Sequence, residues 1–285
     1  MSALRLKPDD AVDLHIHTMY SDGHWQPVEL FGYLAGAGFR LVAVTDHDRV
    51  DRLAEMRALG ESRGIVVLPG VEMTTNWQGK TLHLLCYGGD LAGGALARMA
   101  EATVEGMREN TREVYAELER RGYIFGRREE VLAGQGGQAL RPVDNARLLL
   151  AHGHVATMAE ALVLIADAGY RIVSAPVADA VAAAQAVGAV ALVAHPGRQD
   201  GEIPRHTPGE LAEMLASAPF DGVEAYYPLH SAEQVKAYEG FAHERGLLVS
   251  AGSDSHGPRQ RLPIAYRAGM VAALLGRCGV EVEGT

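Results

Sequence analysis

The stretch AVDLHIH, residues 11–17, alternates apolar and polar side chains. A period of two predicts a β-strand with one apolar face and one face that carries two imidazoles. Because residues two apart in a strand point the same way, His15 and His17 are able to bind one metal ion. Ser21-Asp22-Gly23 follows as a turn signature and places Asp22, a third candidate ligand, just past the strand end.

Short apolar runs that end in polar side chains recur over the first third of the chain. LVAV, at residues 41–44, predicts a strand that delivers Asp46 and His47 at its end. IVVL, at residues 65–68, predicts a strand followed by a Pro-Gly break and Glu72, and the next strand, TLHLLCYG, carries His83. Apolar residues with helical spacing over residues 25–39 and 51–62 predict two helices, one after each of the first two strands.

The pattern changes from about Leu91 to Val187, where strand-like runs are nearly absent and Ala, Glu, Arg and Leu follow in helical order. We interpret residues 91–187 as an inserted, mainly helical cap subdomain. Residues 1–90 and 188–285 would then form one metal-binding domain. Within the insertion, Gly134 to Gly137 predicts a loop.

Strand-like sequence resumes with AVALVAHPG, a predicted strand followed by His195. Two more predicted strands follow, in GVEAYYPLHS and in LLVSAGSDSHG, and the second of them is followed by Asp254 and His256. At least seven strand candidates occur, most of them separated by helices. Polar residues at strand ends are typical of an α/β barrel, whose site lies on the loops at the carboxyl ends of the strands. A parallel barrel is the economical topology. A doubly wound open sheet is the alternative, although it would collect its chemistry at one crevice.

The strand ends together carry six imidazoles and three carboxylates, without a cysteine. These donors favour Zn, Mn or Fe over a structural zinc site. Nine ligands suit two or three ions, with a carboxylate such as Glu72 bridging, and such a site hydrolyses phosphate esters. The set comprises His15, His17, Asp22, His47, Glu72, His83, His195, Asp254 and His256.

Each of these residues also has a plainer interpretation. His83 among leucines fits a core histidine, Asp46 and Asp48 fit caps of the following helix, and the segment from Asp254 to Gly257 fits a turn. Their joint occurrence at strand ends favours the metal site. Among the remaining histidines, His230 is the best candidate to line the site.

Composition and charge narrow the function further. The chain has 285 residues, 48% of them hydrophobic, and a formal net charge of −10. This negative charge argues against a large positively charged surface that binds nucleic acid. It allows a phosphorylated substrate, because bound metal ions would dominate the electric field at the site. No apolar run is long enough to span a bilayer, and the first ten residues lack the apolar core of a signal peptide, so we expect a cytoplasmic protein.

Five motifs in this order resemble the PHP (polymerase and histidinol phosphatase) family and extend over the whole chain. They are H-x-H at His15 and His17, T-D-H at Thr45 to His47, G-V-E at Gly70 to Glu72, A-H-P at Ala194 to Pro196, and S-D-x-H-G at Ser253 to Gly257. The chain is most similar to the stand-alone bacterial branch, which has a distorted (β/α)7 barrel with a helical insertion. That branch includes a 3′,5′-nucleotide bisphosphate phosphatase and a 5′-to-3′ exoribonuclease active on short RNA.

The resemblance implies a division of the ligands among three ions and a metal-bridging hydroxide as the nucleophile. One ion would bind His15, His17, Glu72 and Asp254; a second Glu72, His83 and His195; and a third Asp22, His47 and His256. Asp46 would orient ligands or transfer a proton, and we add His230 as a second catalytic candidate.

The insertion is where the chain departs from the branch, in which a G-R-P-H segment supplies an arginine for the substrate phosphate. The corresponding sequence here is Leu140-Arg141-Pro142-Val143. The arginine and the proline are present, and the glycine and the histidine are replaced. We predict phosphate contacts from Arg141, the nearby Asn145, and Arg198 after A-H-P-G. The altered insertion leaves the chemistry intact and leaves the substrate open.

The sequence therefore predicts a metal-dependent phosphoesterase for a small phosphorylated metabolite, foremost a nucleotide with 3′ and 5′ phosphates. An exoribonuclease on short RNA comes second, because the chain is acidic and shows no stacking platform. A phosphodiesterase on a cyclic sugar phosphate would use the same metals. A metal-binding module without activity is the last alternative, and the complete ligand set argues against it. We expect neither a membrane partner nor a stable nucleic-acid complex.

Overall fold

The computed structural model describes residues 5–133, 137–199 and 203–284, so most of the predicted loop at Gly134 lies outside the described residues. The described strands are β1 (Arg5–Leu6), β2 (Ala11–Ile16), β3 (Phe39–Val44), β4 (Val66–Val67), β5 (Gly70–Trp77), β6 (Lys80–Tyr87), β7 (Ala175–Pro176), β8 (Val190–Val193), β9 (Gly222–Tyr226), β10 (Leu248–Ala251), β11 (Tyr266–Arg267) and β12 (Glu281–Val282). The described α-helices are α1 (Pro27–Gly36), α2 (Leu53–Glu61), α3 (Gly94–Arg120), α4 (Arg128–Val131), α5 (Pro142–Ala151), α6 (Met158–Asp167), α7 (Val177–Ala186), α8 (Pro208–Ser217), α9 (Ala232–Arg245) and α10 (Ala272–Arg277).

The described strands form an α/β fold with three sheets. The largest has the order β10-β9-β8-β6-β5-β7, the second the order β11-β2-β3-β4, and β1 pairs with β12. Neighbours are parallel between β2 and β3, between β8 and β9, and between β9 and β10. Strand β6 is antiparallel to both of its neighbours, β5 and β8. The expectation of a wholly parallel arrangement was therefore wrong.

The reason for the antiparallel pairing is the connection between β5 and β6. Only Gln78 and Gly79 separate the two strands, and both have positive φ angles, of 50° and 76°. A two-residue turn joins antiparallel strands, whereas a parallel pair needs a crossover of about a dozen residues or more. The hairpin pairs all of β5 with β6, from Gly70 opposite Tyr87 to Trp77 opposite Lys80. His83 consequently lies opposite Thr74 within the hairpin and not at the end of a parallel strand.

Contacts divide the chain into two compact units, Met1–Glu101 with Ser174–Thr285, and Ala102–Val173. The second unit falls inside the predicted insertion of residues 91–187, and the role of that insertion as a cap stays a prediction. All nine predicted metal ligands belong to the first unit. No described helix combines the length and the apolar content needed to cross a membrane.

In the first unit, the core strands are buried on both faces. Leu14 and Leu41 pack with Tyr87 and Leu192 in one apolar cluster. Ile16, on the same side of β2 as Leu14 in sequence register, packs with residues of α1 in another. The other side of β2 carries Asp13 and His15. Because β2 is covered on both sides, its polar residues Asp13 and His15 are buried as fully as its apolar ones. Buried polar groups need partners, and these partners build the site.

The second unit is a small helical assembly with its own core. Leu118, Phe125, Leu148, Leu149 and Ile165 are buried together between its helices. Thr157 caps α6, since its side chain accepts a hydrogen bond from the Glu160 backbone N–H at 3.2 Å. Its surface ion pairs, such as Arg120 with Glu117, are solvent-exposed and contribute little to stability.

Candidate metal centre

The predicted ligands come together because strand ends from distant parts of the chain meet. Two isolated parallel bridges mark the meeting points: His47 pairs with Glu72, and Ile16 pairs with Ser255. The His17 N–H donates to Ser255 O at 2.9 Å, and the Asp254 N–H donates to His15 O at 2.8 Å. These backbone bonds place the loop after β10 beside the end of β2.

Four side chains form what we call the buried group: His15, His17, Glu72 and Asp254. His15 Nε2 lies 3.0 Å from His17 Nε2 and 3.0 Å from Glu72 Oε2. His17 Nε2 is 3.0 Å from the same Glu72 oxygen and 3.2 Å from Asp254 Oδ1. Two imidazole nitrogens and two carboxylate oxygens therefore converge in the protein interior, in the combination that the resemblance implies for one ion.

Glu72 uses its other oxygen on the opposite side. Glu72 Oε1 lies 3.1 Å from His83 Nδ1 and 3.0 Å from His195 Nε2. His47 Nε2 is 3.5 Å from Glu72 Oε2, so His47, Glu72 and His83 also form a group with metal-ligand spacing. Glu72 is thus in contact with five histidines. The resemblance assigns His47 to a different ion, whereas here its ring nitrogen lies between Glu72 and Asp22.

A second set of four side chains, which we call the open group, consists of His17, Asp22, His47 and His256. Asp22 Oδ2 lies 3.0 Å from His256 Nε2 and 3.8 Å from His47 Nε2. His256 Nδ1–H donates to the Asp254 backbone O at 3.0 Å, which directs Nε2 toward Asp22. Asp22 is exposed, and this side of the cluster faces solvent.

The residues fit divalent metal ions by their own geometry. Asp254 Oδ1 and His83 Nδ1 are buried, yet within the described chain neither has a hydrogen-bond partner of acceptable geometry. Two imidazole Nε2 atoms that face each other at 3.0 Å share at most one proton between them. Such buried, converging lone pairs are costly in a protein interior unless a cation or protons occupy the space between them.

The backbone is strained at two of the ligands. His195 has a φ of 25° and Asp254 a φ of 53°, in the left-handed region that non-glycine residues rarely adopt. Strain of this kind concentrates at functional sites, where the surrounding structure holds it. Gly23 has a related role, because a Cβ there would lie 2.8 Å from the His17 carbonyl O. Only glycine allows the loop that carries Asp22 to turn so close to β2.

Charge pairing sets the pKa values inside the cluster. Burial opposes the charged form of His17, but the adjacent carboxylates of Asp254 and Glu72 outweigh it and raise its pKa to about 10. Burial likewise opposes ionisation of Glu72, and the surrounding histidines, His15 foremost, hold its pKa well below the usual range. For His47 burial prevails and lowers the pKa to about 3. Without metal, the ionised carboxylates of the buried group therefore favour a proton on the imidazole of His17.

Two buried carboxylates that we did not predict from the sequence support the ligands. Glu224, on β9, lies 3.0 Å from His15 Nδ1 through Oε1 and accepts the His195 N–H at 2.8 Å through Oε2. Asp13 accepts backbone N–H groups of Ser253 and Ile264, each at 2.9 Å. A sequence signal existed for Glu224, since it is an acidic residue inside an apolar strand, GVEAY.

Asp46 holds the loop between β2 and Asp22. Its carboxylate accepts hydrogen bonds from Thr18 N and Thr18 Oγ1, both at 2.6 Å, and from Ser21 Oγ at 2.7 Å. Asp48 accepts from Thr74 N and Oγ1 instead. Neither carboxylate caps α2, so the capping interpretation was wrong for both. Three donors on Asp46 fit an orienting role; a proton-transfer role stays a prediction.

His230 has both ring nitrogens bonded to backbone. Nδ1–H donates to Ala225 O at 2.9 Å, and Nε2 accepts the Gly197 N–H at 3.0 Å. His230 therefore fixes the loop that follows His195. Its catalytic role stays a prediction that these two bonds do not favour.

The arginine predicted to bind phosphate in the first unit lies beside the metal ligands. Arg198 Nη1 donates to Asp254 Oδ2 at 3.0 Å, and Tyr227 Oη donates to the same oxygen at 3.1 Å. Asp254 thus directs Oδ1 at the histidines and Oδ2 at Arg198 and Tyr227. Sequence reasoning did not select Tyr227.

In the second unit, Arg141 and Asn145 lie at the start of α5. The Arg141 backbone N–H donates to Asp144 Oδ2 at 2.8 Å, and its guanidinium lies 3.4 Å from Asp144 Oδ1. Asn145 is buried, and its Nδ2 donates to Thr111 O at 2.9 Å. The phosphate role of each residue stays a prediction, and burial of Asn145 does not favour it.

An α/β fold with histidine and carboxylate ligands clustered at strand ends defines the class of metal-dependent hydrolases. Comparison with known proteins narrows this class. No protein-family model matches the chain. The chain is 34% identical over 262 residues to a 3′,5′-nucleoside bisphosphate phosphatase of Chromobacterium violaceum, and the aligned region covers 87% of each chain. It is 28% identical to a 5′-3′ exoribonuclease of Haemophilus influenzae, over 86% of this chain and 90% of that one.

The fold gives the same result. A provisionally assigned metal-dependent phosphoesterase of Bifidobacterium adolescentis superposes with a TM-score of 0.77 at 25% identity, covering 98% of this chain and 100% of its own. The chain belongs to the PHP family of metal-dependent phosphoesterases, and it is a phosphoric ester hydrolase.

Proposed function

We propose that this phosphoesterase removes a phosphate from a 3′,5′-bisphosphorylated nucleotide. The observation that carries the proposal is the cluster around Glu72, which is open to solvent on the side of Asp22. The substrate class is supported by the 34% identity to the bisphosphate phosphatase over nearly the full length of both chains.

We further propose that the strands of the first unit enclose a distorted (β/α)7 barrel. Two isolated bridges, His47 with Glu72 and Ile16 with Ser255, link the two larger sheets at two separate places, which supports a continuous ring of strands. The carboxyl ends of most barrel strands would then lie on one face, as in other barrels whose loops carry the site.

The nine predicted ligands would hold two or three divalent ions, Mn, Zn or Fe. The buried group supplies one position, and Glu72 with His83 and His195 supplies a second. The third position lies in the open group, between Asp22 and His256. Ions bound there would polarise phosphoryl oxygens and provide a nucleophile from water at neutral pH.

The chain's own residues orient the ligands and the substrate. Asp46 holds the Thr18–Ser21 loop and thereby the position of Asp22. Arg198 is bonded to Asp254, and a guanidinium has enough donors to contact a substrate phosphate oxygen at the same time. Arg141 and Asn145 are the phosphate contacts that we propose for the helical unit. A cytoplasmic location and the absence of a stable nucleic-acid complex stay predictions.

The test is phosphate release by the manganese-loaded protein from adenosine 3′,5′-bisphosphate, beside AMP, a cyclic phosphodiester and a 5′-phosphorylated RNA pentamer. We expect rapid release from the bisphosphate and little from AMP or the cyclic diester. Faster turnover of the pentamer would replace the proposal with the exoribonuclease, and turnover of the cyclic diester alone with a phosphodiesterase.

Two variants control the assay. Glu72→Gln removes the central carboxylate and should abolish release from every substrate. Glu239→Gln alters a half-buried glutamate on α9 that bonds to Tyr226 and contacts no candidate ligand, and should leave release unchanged. Release that persists in Glu72→Gln would trace the activity to a contaminant or to another site.

A further inference from the structure

Glu224 occupies a position that joins two ligand-bearing segments of the site. It is fully buried on β9, between β8 and β10 in the sheet. Oε1 lies 3.0 Å from the His15 ring at Nδ1, and Oε2 accepts the His195 backbone N–H at 2.8 Å. The ring of His15 is thereby in contact with a carboxylate that is not one of the nine predicted ligands.

The bond to His15 determines which ring nitrogen carries the proton. An ionised carboxylate only accepts hydrogen bonds, so Nδ1 of His15 must donate. The neutral imidazole then has its lone pair on Nε2, the atom that faces His17 and Glu72. A carboxylate behind a ligating histidine fixes the tautomer and the ring orientation in the same way at many metal sites.

The bond to His195 acts on the backbone. His195 has a φ of 25°, a conformation that costs free energy and persists only where neighbours hold it. The Glu224 carboxylate accepts the N–H of this strained residue. This contact directs the His195 ring to Glu72, with Nε2 at 3.0 Å from Oε1.

A glycine keeps open the space that the Glu224 carboxylate occupies beside His15. A Cβ built on Gly252 would lie 2.2 Å from His15 Cβ and 2.6 Å from Glu224 Oε1. Only glycine at this position lets the backbone just after β10 pass so close to both side chains. The absence of a side chain at residue 252 thus supports the contact between Glu224 and His15.

We infer that Glu224 is a positioning residue that sets the tautomer of His15 and holds the backbone of His195 for metal binding. The inference rests on the proposed metal site. One carboxylate would thereby couple two ligands that bind to opposite oxygens of Glu72.

Replacement of Glu224 by glutamine tests the inference because an amide has one acceptor and one donor end. If the amide oxygen accepts the His195 N–H, the NH2 group faces His15 Nδ1 and favours the proton on Nε2, the ligand atom. In the reverse orientation, the NH2 group opposes the His195 N–H. Either way one of the two contacts is lost with almost no change in volume.

The experiment measures the affinity for zinc in competition with a chelator, together with the melting temperature with and without zinc, for wild type, Glu224→Gln and Glu239→Gln. We expect zinc affinity to fall about 10- to 100-fold in Glu224→Gln, as for other residues behind a metal-ligating histidine. The zinc-induced rise in melting temperature should shrink, while Glu239→Gln matches wild type. A purely structural role would lower both melting temperatures and leave the zinc affinity unchanged, which would overturn the inference.

A crystal structure of the zinc-loaded wild type keeps the inference testable if Glu224→Gln does not fold. We expect zinc at Nε2 of His15, about 2.1 Å away, and Glu224 at Nδ1. Zinc at Nδ1, or a Glu224 carboxylate turned away from His15, would overturn it. Absence of zinc binding by wild type would instead refute the proposed metal site, so the two failures are distinguishable.

Discussion

The two halves of the metal cluster differ in their exposure to water. In the buried group, the side chains of His15 and Glu72 are at most 1% exposed and that of Asp254 is 4% exposed. In the open group, His47 and His256 are about one-fifth exposed and Asp22 is 53% exposed. Both halves have the same residue types, and His17 belongs to both.

This difference in exposure separates two tasks. Charges interact more strongly where water is excluded, so the buried group should retain its ion firmly. The open group lies where a substrate and a water molecule are able to enter, and its ion should exchange more readily. Glu72 is in contact with both halves. We therefore expect a substitution of Glu72 to reduce activity more than a substitution of any other ligand.

Glu72→Gln should have the largest effect of any single substitution. It removes the charge that faces five histidines while it preserves the shape of the side chain. We expect activity to fall by at least about 10⁴-fold, because transition-state stabilisation by metal ions is worth several kcal/mol. Metal content by mass spectrometry and circular dichroism should show a folded protein with fewer ions. Full metal content with unchanged turnover would contradict the central position of Glu72.

Asp254→Asn and Asp22→Asn compare the two halves directly with the same chemical change. Loss of one partner of a buried charge network is costlier than loss of an exposed one. We expect activity to fall on the order of 1,000-fold for Asp254→Asn and about 10- to 100-fold for Asp22→Asn.

Metal titration of the same two variants provides the control. Asp22→Asn should lose one weakly bound ion and retain the tightly bound one. Asp254→Asn should lose tight binding. Equal losses in both variants would mean that exposure does not separate the two halves.

The pH dependence of metal binding should report on the buried group. The pKa of His17 is raised to about 10, because Asp254 and Glu72 outweigh the effect of burial, so this imidazole carries a proton near neutral pH without metal. A metal ion must displace that proton. Apparent affinity should therefore rise with pH up to about tenfold per pH unit for each proton displaced, between neutral pH and about 10.

Calorimetry in buffers with different ionisation enthalpies counts the protons released. The raised pKa of His17 also stabilises the metal-free fold below about pH 6.5, and this contribution is lost as the pH rises through about 10. The metal-loaded protein should not show that loss. Metal affinity independent of pH would mean that the cluster is not protonated before binding.

His206 provides the smallest effect and a contrast within the same domain. It is buried against Trp77, and among the described residues neither ring nitrogen has a hydrogen-bond partner. Burial lowers its pKa, with Glu210 and Lys80 as minor influences of opposite sign. His206→Phe should change the stability at neutral pH by less than about 1 kcal/mol, because no hydrogen bond is lost.

The folded protein disfavours protonation of His206, whereas the unfolded chain takes up that proton near pH 6.5. Wild type should therefore lose stability as the pH falls below about 6.5, and His206→Phe should lose less. Urea midpoints at several pH values measure the difference. Identical profiles would show that His206 finds a partner in solution.

The nine candidate ligands were selected from the sequence because most of them lie at a strand end or in a motif visible in one dimension, whereas His83 lies within β6. Their role as metal ligands stays a prediction. The sequence was not sufficient for Glu224, whose partner His15 is 209 residues away, because only strand order brings them together. The antiparallel orientation of β6 was not predicted, because the parallel order of a barrel was assumed for strands that a two-residue turn connects. His47 was assigned to one ion, although its ring lies between Asp22 and Glu72, a matter of side-chain geometry.

The most direct test of the two-part centre is a calorimetric titration of metal-free wild type with Mn²⁺. We predict at least two classes of site, a tight one for the buried group and a weaker one that disappears in Asp22→Asn. No binding, or a single class of site unaffected by both Asp22→Asn and Glu72→Gln, would contradict the account.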